Sequence, residues 1–203
     1  EADLDVLLKQ VVDNGSFVNS SMFPSFGYNE EGQIQDRNDR RKRGLGAPTR
    51  MHKLEDVAAR RNNYLGDDAD WIDFRTTVCT DPDQIALAPG YLQKTELRNG
   101  RRCFDYAMDR PMLDFYAYLS ARWQVKKARY KDIPIEVYYD AKHPYNVQRM
   151  IEGVQKSLAY YEQHFTPYQH HQVRIIEFPG YQSFAQSFAN TIPYSESIGF
   201  IAD

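Results

Sequence analysis

A change of hydrophobic period near residue 131 constrains this chain more than any other feature. From Asp70 onward Ile72, Phe74, Thr76 and Val78 alternate with Asp73, Arg75 and Thr77, the pattern of a half-buried strand. Beyond Asp132 the strand-like run IPIEVYY leads into Val147, Met150, Ile151, Val154, Leu158, Tyr161 and Phe165, which recur at helical spacing, and QVRIIEF returns to a strand. Pro144 is expected in the first turn of that helix, which runs to His164, with Pro167 just past its end. Antiparallel β structure followed by β-α-β predicts an α+β fold, mainly β. A sandwich-like antiparallel domain is expected over residues 1–130, and the beginning of an α/β domain over residues 131–203.

Turn chemistry sharpens the first unit. Residues 4–28 read as an apolar segment, an Asp-Asn-Gly-Ser turn and a return strand. Asn99-Gly100 between LQKTELR and RRCFDYAM is a hairpin turn, because both residues tolerate positive φ. The run PMLDFYAYLSARWQVKKARY fits either period, and its Tyr, Phe, Trp and Val content assigns it to strand. Residues 29–68 are polar and read as a long surface excursion with at most a short helix around Glu55 to Asn62. The basic run RNDRRKRG within it is interrupted by Asp36 and Asp39 and has no interleaved aromatics, so a solvated loop is expected rather than a phosphate-binding patch.

Composition narrows the function. A net charge of −3 gives no global basic field, so no nucleic-acid partner is expected. No apolar run approaches the roughly 20 residues that span a bilayer. Cys79 and Cys103 read as two buried thiols as readily as a bridge. The five histidines lack the i,i+4 pairing of a metal helix, and adjacent His170 and His171 would point opposite ways on a strand, so no metal is expected in this chain. The sequons at Asn14 and Asn19 are short enough to occur by chance.

The stretch HFTPYQHHQVRIIEFPGYQSFAQSFANTIPYSESIGFI resembles the approach to the substrate loop of the aminopeptidase N family of zinc metallopeptidases. Pro167-Tyr168, the strand Val173 to Pro179, and Glu196-Ser197-Ile198-Gly199-Phe200 fall in the family's order. Upstream, SSMFPSFGYN resembles the Phe-Pro-x-Phe-Asp segment of the family's β domain, and PMLDFYAYLSARWQV its last strand. The likeness is nearest to the bacterial branch in which such a domain is fused to a transporter-like membrane region. The chain also departs from the pattern. Pro193, Tyr194, Ser195 and Ser197 replace the family's glycine, alanine, methionine and asparagine, and Asn14 or Gly15 falls nearest its substrate-binding glutamine. The metal motif H-E-x-x-H does not occur before Asp203, so the chain is expected to be an excised piece.

This resemblance implies a thermolysin-like fold for the second domain and a substrate site built from Glu196, Ser195, Ser197 and Tyr194. Glu196 would accept a peptide's free α-ammonium in a charge-assisted hydrogen bond, while Gly199-Phe200-Ile201 reads by itself as the start of a buried strand. No catalytic residue and no metal is expected in this chain. Zinc, which lowers the pKa of a bound water, would sit in the full-length parent. Expected partners are a peptide with a free N-terminus and the remainder of the catalytic domain, with a membrane reached only through a tethered bacterial parent. Two function classes stay open: a fragment of a zinc aminopeptidase-like protein, or a non-catalytic peptide-binding or docking domain of a transporter-associated protein.

Overall fold

The structure, a computed structural model, describes residues 11–12, 14–24, 32–48, 52–61, 65, 71–180 and 182–199. The early turn forms as expected: β1 (Val11–Val12) pairs antiparallel with β2 (Gly15–Asn19) across it. The rest of the segment 4–28, and Phe200-Ile201 with its expected strand, lie outside the described residues or only partly within them. The polar excursion holds a six-residue helix α1 (Arg37–Lys42) where a loop was expected. Its cause is local: the Asp36 side chain accepts from the backbone N–H groups of Asn38 and Asp39, an N-cap that satisfies two orphan donors. Near Glu55, where at most a short helix was expected, the described residues form a 3-10 turn (Ala59–Arg61).

The period-two region folds into β3 (Trp71–Ile72), β4 (Arg75–Thr80), β5 (Ile85–Leu87), β6 (Tyr91–Arg98), β7 (Arg101–Ala107), β8 (Met112–Leu113) and β9 (Ala117–Ala121). Asn99 (φ 51°) and Gly100 (φ 77°) turn β6 into β7 with Arg98 opposite Arg101. Sheet orders are β1-β2-β9-β5, β4-β7-β6 and β3-β8, all antiparallel. The fold is α+β, mainly β and sandwich-like. Cys79 and Cys103 stand opposite each other in the β4-β7 register and are bonded as a disulfide, which resolves the open alternative. The folded, oxidised protein is therefore expected to titrate no thiol until reductant is added. Two reactive thiols under non-reducing denaturing conditions would contradict the bridge.

The fourth sheet carries the elements of the candidate site. β10 (Gln124–Tyr130) and β11 (Ile133–Tyr139) form a hairpin around Lys131-Asp132, so the boundary expected near residue 131 falls on a two-residue turn. Helix α2 (Val147–His164) then crosses to β12 (Val173–Phe178), which is parallel to β11, and β13 (Thr191–Ser195) is parallel to β12. α2 starts at Val147 and not at Pro144, because Asn146 sits in the left-handed region (φ 58°) as its N-cap. The Val147, Ile151, Val154 and Leu158 face of α2 covers Ile135, Val137, Val173 and Ile175. On the opposite face Tyr138, Ile176 and Phe178 join Phe17, Phe104, Leu119 and Trp123 in the core of the antiparallel sheets. With both faces covered, β12 is buried at every position, Arg174 and Glu177 included.

Candidate functional site

A glutamate buried in a central parallel strand requires partners, and Glu177 has them. Its Oε1 accepts from the Asp140 backbone N–H at 3.1 Å and its Oε2 from the Tyr194 hydroxyl at 3.0 Å. Its Oε1 also lies 3.3 Å from His143 Nδ1. Burial pushes the Glu177 carboxyl up from its ordinary range, opposed by the Asp140 N–H, His143 and Tyr194. Burial, reinforced by the Glu177 charge, pushes the Tyr194 phenol up as well.

Glu196 opens the four-residue helix α3 (Glu196–Gly199) instead of lying in an extended loop. Its Oε1 accepts from the Gly180 N–H at 2.7 Å and its Oε2 lies 3.3 Å from His143 Nε2. The imidazole thus bridges a side chain 7% exposed, Glu177, and one 29% exposed, Glu196. A side chain on Gly180 would press its Cβ to 3.0 Å from the Glu196 carboxylate, so glycine there allows the close approach.

Topology explains the convergence. His143 follows the carboxyl end of β11, Glu177 stands at the last turn of pleat in β12, and Glu196 follows β13 directly. Three parallel strands therefore deliver one residue each to the same edge, where open α/β sheets bind ligands. The first hairpin reaches this edge too. Asn14 Nδ2 donates to Asp140 Oδ2 at 3.1 Å, its Oδ1 accepts from the Arg122 N–H at 2.7 Å, and a Cβ on Gly15 would clash with Pro179.

Of the four residues expected to meet substrate, Glu196 and Ser197 are partly exposed, whereas Tyr194 and Ser195 are buried. The Tyr194 hydroxyl is committed to Glu177. Ser195 donates its backbone N–H to the Phe184 carbonyl and its hydroxyl lies 2.7 Å from that of Ser197. Neither His143 nor Glu177 was anticipated from sequence. The available signal was a charged residue inside an otherwise apolar strand after a β-α-β crossover.

One histidine and two carboxylates are a donor set that zinc accepts, and their ligand atoms lie within 4.8 Å of one another. An imidazole lends one nitrogen to a given ion, however, and here its two nitrogens face different carboxylates. The imidazole stands between the two carboxylates, and the fit to zinc rests on which ring nitrogen turns to the ion. The adjacent pair His170 and His171 lies elsewhere: His171 Nε2 is 3.3 Å from Asp109 and His170 packs against Tyr168. After dialysis the chain is expected to retain zinc well below one equivalent by metal analysis. Stoichiometric retention would mean that His143, Glu177 and Glu196 hold the ion together.

Compared with known proteins, the chain matches no protein-family model and no curated protein.

Proposed function

We propose that this chain carries the amine-reading element of a peptide-binding cleft of the zinc aminopeptidase type. The observation that supports it is the posture of Glu196: one carboxylate oxygen fixed by Gly180, the other turned to His143, and the side chain still 29% exposed at the carboxyl edge of three parallel strands. A carboxylate so held is pre-organised to receive a small cation, and a peptide's α-ammonium is one. Asn14, which with Gly15 falls nearest the family's substrate glutamine in sequence, is joined through Asp140 to the same cluster. Hydrolysis, in this reading, uses zinc and a general base held by residues outside these 203. The Cys79–Cys103 bridge supports an oxidising setting.

A non-catalytic docking role is the second reading. Burial of Tyr194 and Ser195 favours it, since the segment then offers a peptide little beyond Glu196 and Ser197. Amine recognition is common to both readings and is tested on the chain itself. Calorimetry with trialanine amide and its N-acetyl form should show binding of the free amine and a marked loss on acetylation. Equal affinities would end the reading.

A further inference from the structure

We propose that the cavity at the amino ends of β12 and β13 is a second binding site, for a small ring-bearing carboxylate. It lies at the other end of these strands from Glu196, so the inference does not depend on the amine-reading role.

The cavity has a volume of about 260 Å³. That is just under the roughly 300 Å³ at which sites for drug-sized ligands begin, which limits an occupant to one ring and a short arm. The β3 and β8 segments supply one side of it, through Trp71, Arg110 and Met112, and the segments that enter β12 and β13 supply the other, through His170 and Phe188. The buried walls are held in place. Phe188 exchanges backbone hydrogen bonds with Thr191, at 2.8 and 3.2 Å, and its ring lies 4.5 Å from that of Phe115. Met112 and Phe188 belong to the core of the antiparallel sheets. Trp71 is the opposite case: it stands across from Leu113 in the β3-β8 pair, lines the cavity, and is still 69% exposed. Packing in the core does not account for an indole so exposed, whereas an aromatic ring seated against it would.

Two polar groups decide the charge of the ligand. His170 is 9% exposed, and its Nδ1 is buried without a hydrogen-bond partner. Buried polar atoms are nearly always paired, so an unpaired imidazole in a cavity wall marks a place completed by an occupant. Burial pushes this imidazole below its ordinary pKa, and the Arg110 charge adds to the effect, which leaves the guanidinium as the cation of the cavity. Among the described residues Arg110 makes no hydrogen bond. The nearest carboxylate oxygen, Asp109 Oδ1, is 3.6 Å from its Nε, beyond hydrogen-bond range, and Asp109 Oδ2 is turned to His171 Nε2 at 3.3 Å. Aromatic walls alone would also suit a quaternary ammonium. Arg110 disfavours a cation and offers a carboxylate its fork of N–H donors.

The test is titration of the chain with 3-phenylpropionate, followed by tryptophan emission and by equilibrium dialysis. Trp123, the other tryptophan, is 8% exposed and donates its indole N–H to the Glu177 carbonyl, so emission open to acrylamide quenching reports Trp71. Saturable binding with a dissociation constant at or below about 1 mM is expected, with Trp71 shielded from the quencher. 3-Phenylpropanamide keeps the ring without the charge, and propionate keeps the charge without the ring; each should bind about tenfold more weakly or worse. Arg110→Gln should cost the carboxylate about tenfold and leave the amide unchanged. The Arg110 side chain is 49% exposed, so this variant should fold. In the wild type, which needs no variant, the His170 ring resonances should move as the site fills. Absence of saturable binding, tighter binding of phenyltrimethylammonium, or a carboxylate preference that survives Arg110→Gln would overturn the proposal. Saturation that leaves Trp71 and His170 unaffected would overturn it as well, by placing the ligand elsewhere.

Discussion

Arg174→Met is expected to lower the free energy of unfolding by about 3 kcal/mol. Arg174 is fully buried at the start of β12, and its Nη2 lies 2.7 to 3.0 Å from Ala88 O, Gly90 O, Asn190 Oδ1 and Thr191 Oγ1. One amino group has two hydrogens, so it satisfies about two of these oxygens at a time. Two charge-assisted bonds at about 1.5–3 kcal/mol each set a ceiling near 6, and relief of the guanidinium's desolvation offsets part of it. Burial presses the guanidinium down from its usual range, while the nearby Tyr106 and Tyr138 rings and Glu136 push the other way. Methionine fills the volume and leaves the carbonyls without their cation.

The location of Arg174 links this loss to the candidate site. It ties β12 to the first residues of β13 and to the segment entering β6, where Gly90 (φ 95°) brings its backbone so near Ala107 that a Cβ would sit 2.8 Å from it. The far end of β13 carries Glu196, so Arg174 sets the register of the strand that presents it. Urea unfolding checks the prediction. With a slope of about 2–3 kcal/mol/M the midpoint should fall by about 1–1.5 M. A shift below about 0.3 M would mean that Arg174 is replaceable packing and not a tie between the sheets.

Much of this architecture was legible because it depends on local chemistry. Asn99-Gly100 announces a hairpin wherever two strand-like arms flank it, and the spacing of Val147, Ile151, Val154 and Leu158 announces the helix that covers β11 and β12. Even α1 had a local signal, with Asp36 as cap and Asp39 in its first turn, masked by the charge of the run around it. The pairing of Cys79 with Cys103 depends on the β4-β7 register, which no spacing of two cysteines encodes. The His143, Glu177 and Glu196 cluster is harder still. It exists because the α2 crossover from β11 to β12 and the connection of residues 179–190 from β12 to β13 make three strands parallel and bring their carboxyl ends to one edge. Histidine pairing at i,i+4 is a helix rule, and it is blind to ligands delivered one per strand. The burial of Arg174 and Glu177 follows from the same topology, since β12 is an interior strand covered by α2 on one face and by the antiparallel sheets on the other.

Glu196→Gln is expected to weaken binding of trialanine amide by about 10- to 150-fold, the equivalent of about 1.5–3 kcal/mol for one charged hydrogen bond. The substitution keeps shape. A glutamine oxygen can still accept the Gly180 N–H, and its amide nitrogen can donate toward His143 Nε2, so the loop and helix α3 should hold their places. What disappears is the negative charge that faces the ligand. Acetylating the peptide removes the same interaction from the other side, so it should cost the wild type a similar factor and the variant much less. That non-additivity distinguishes direct recognition from a general loosening of the site. A loosened site would lower affinity for both peptides alike, leaving the acetylation penalty unchanged. Equal penalties in wild type and variant would therefore return Glu196 to the role of a helix-opening residue bound to Gly180, and the amine would have to be read elsewhere along the carboxyl edge of β11, β12 and β13.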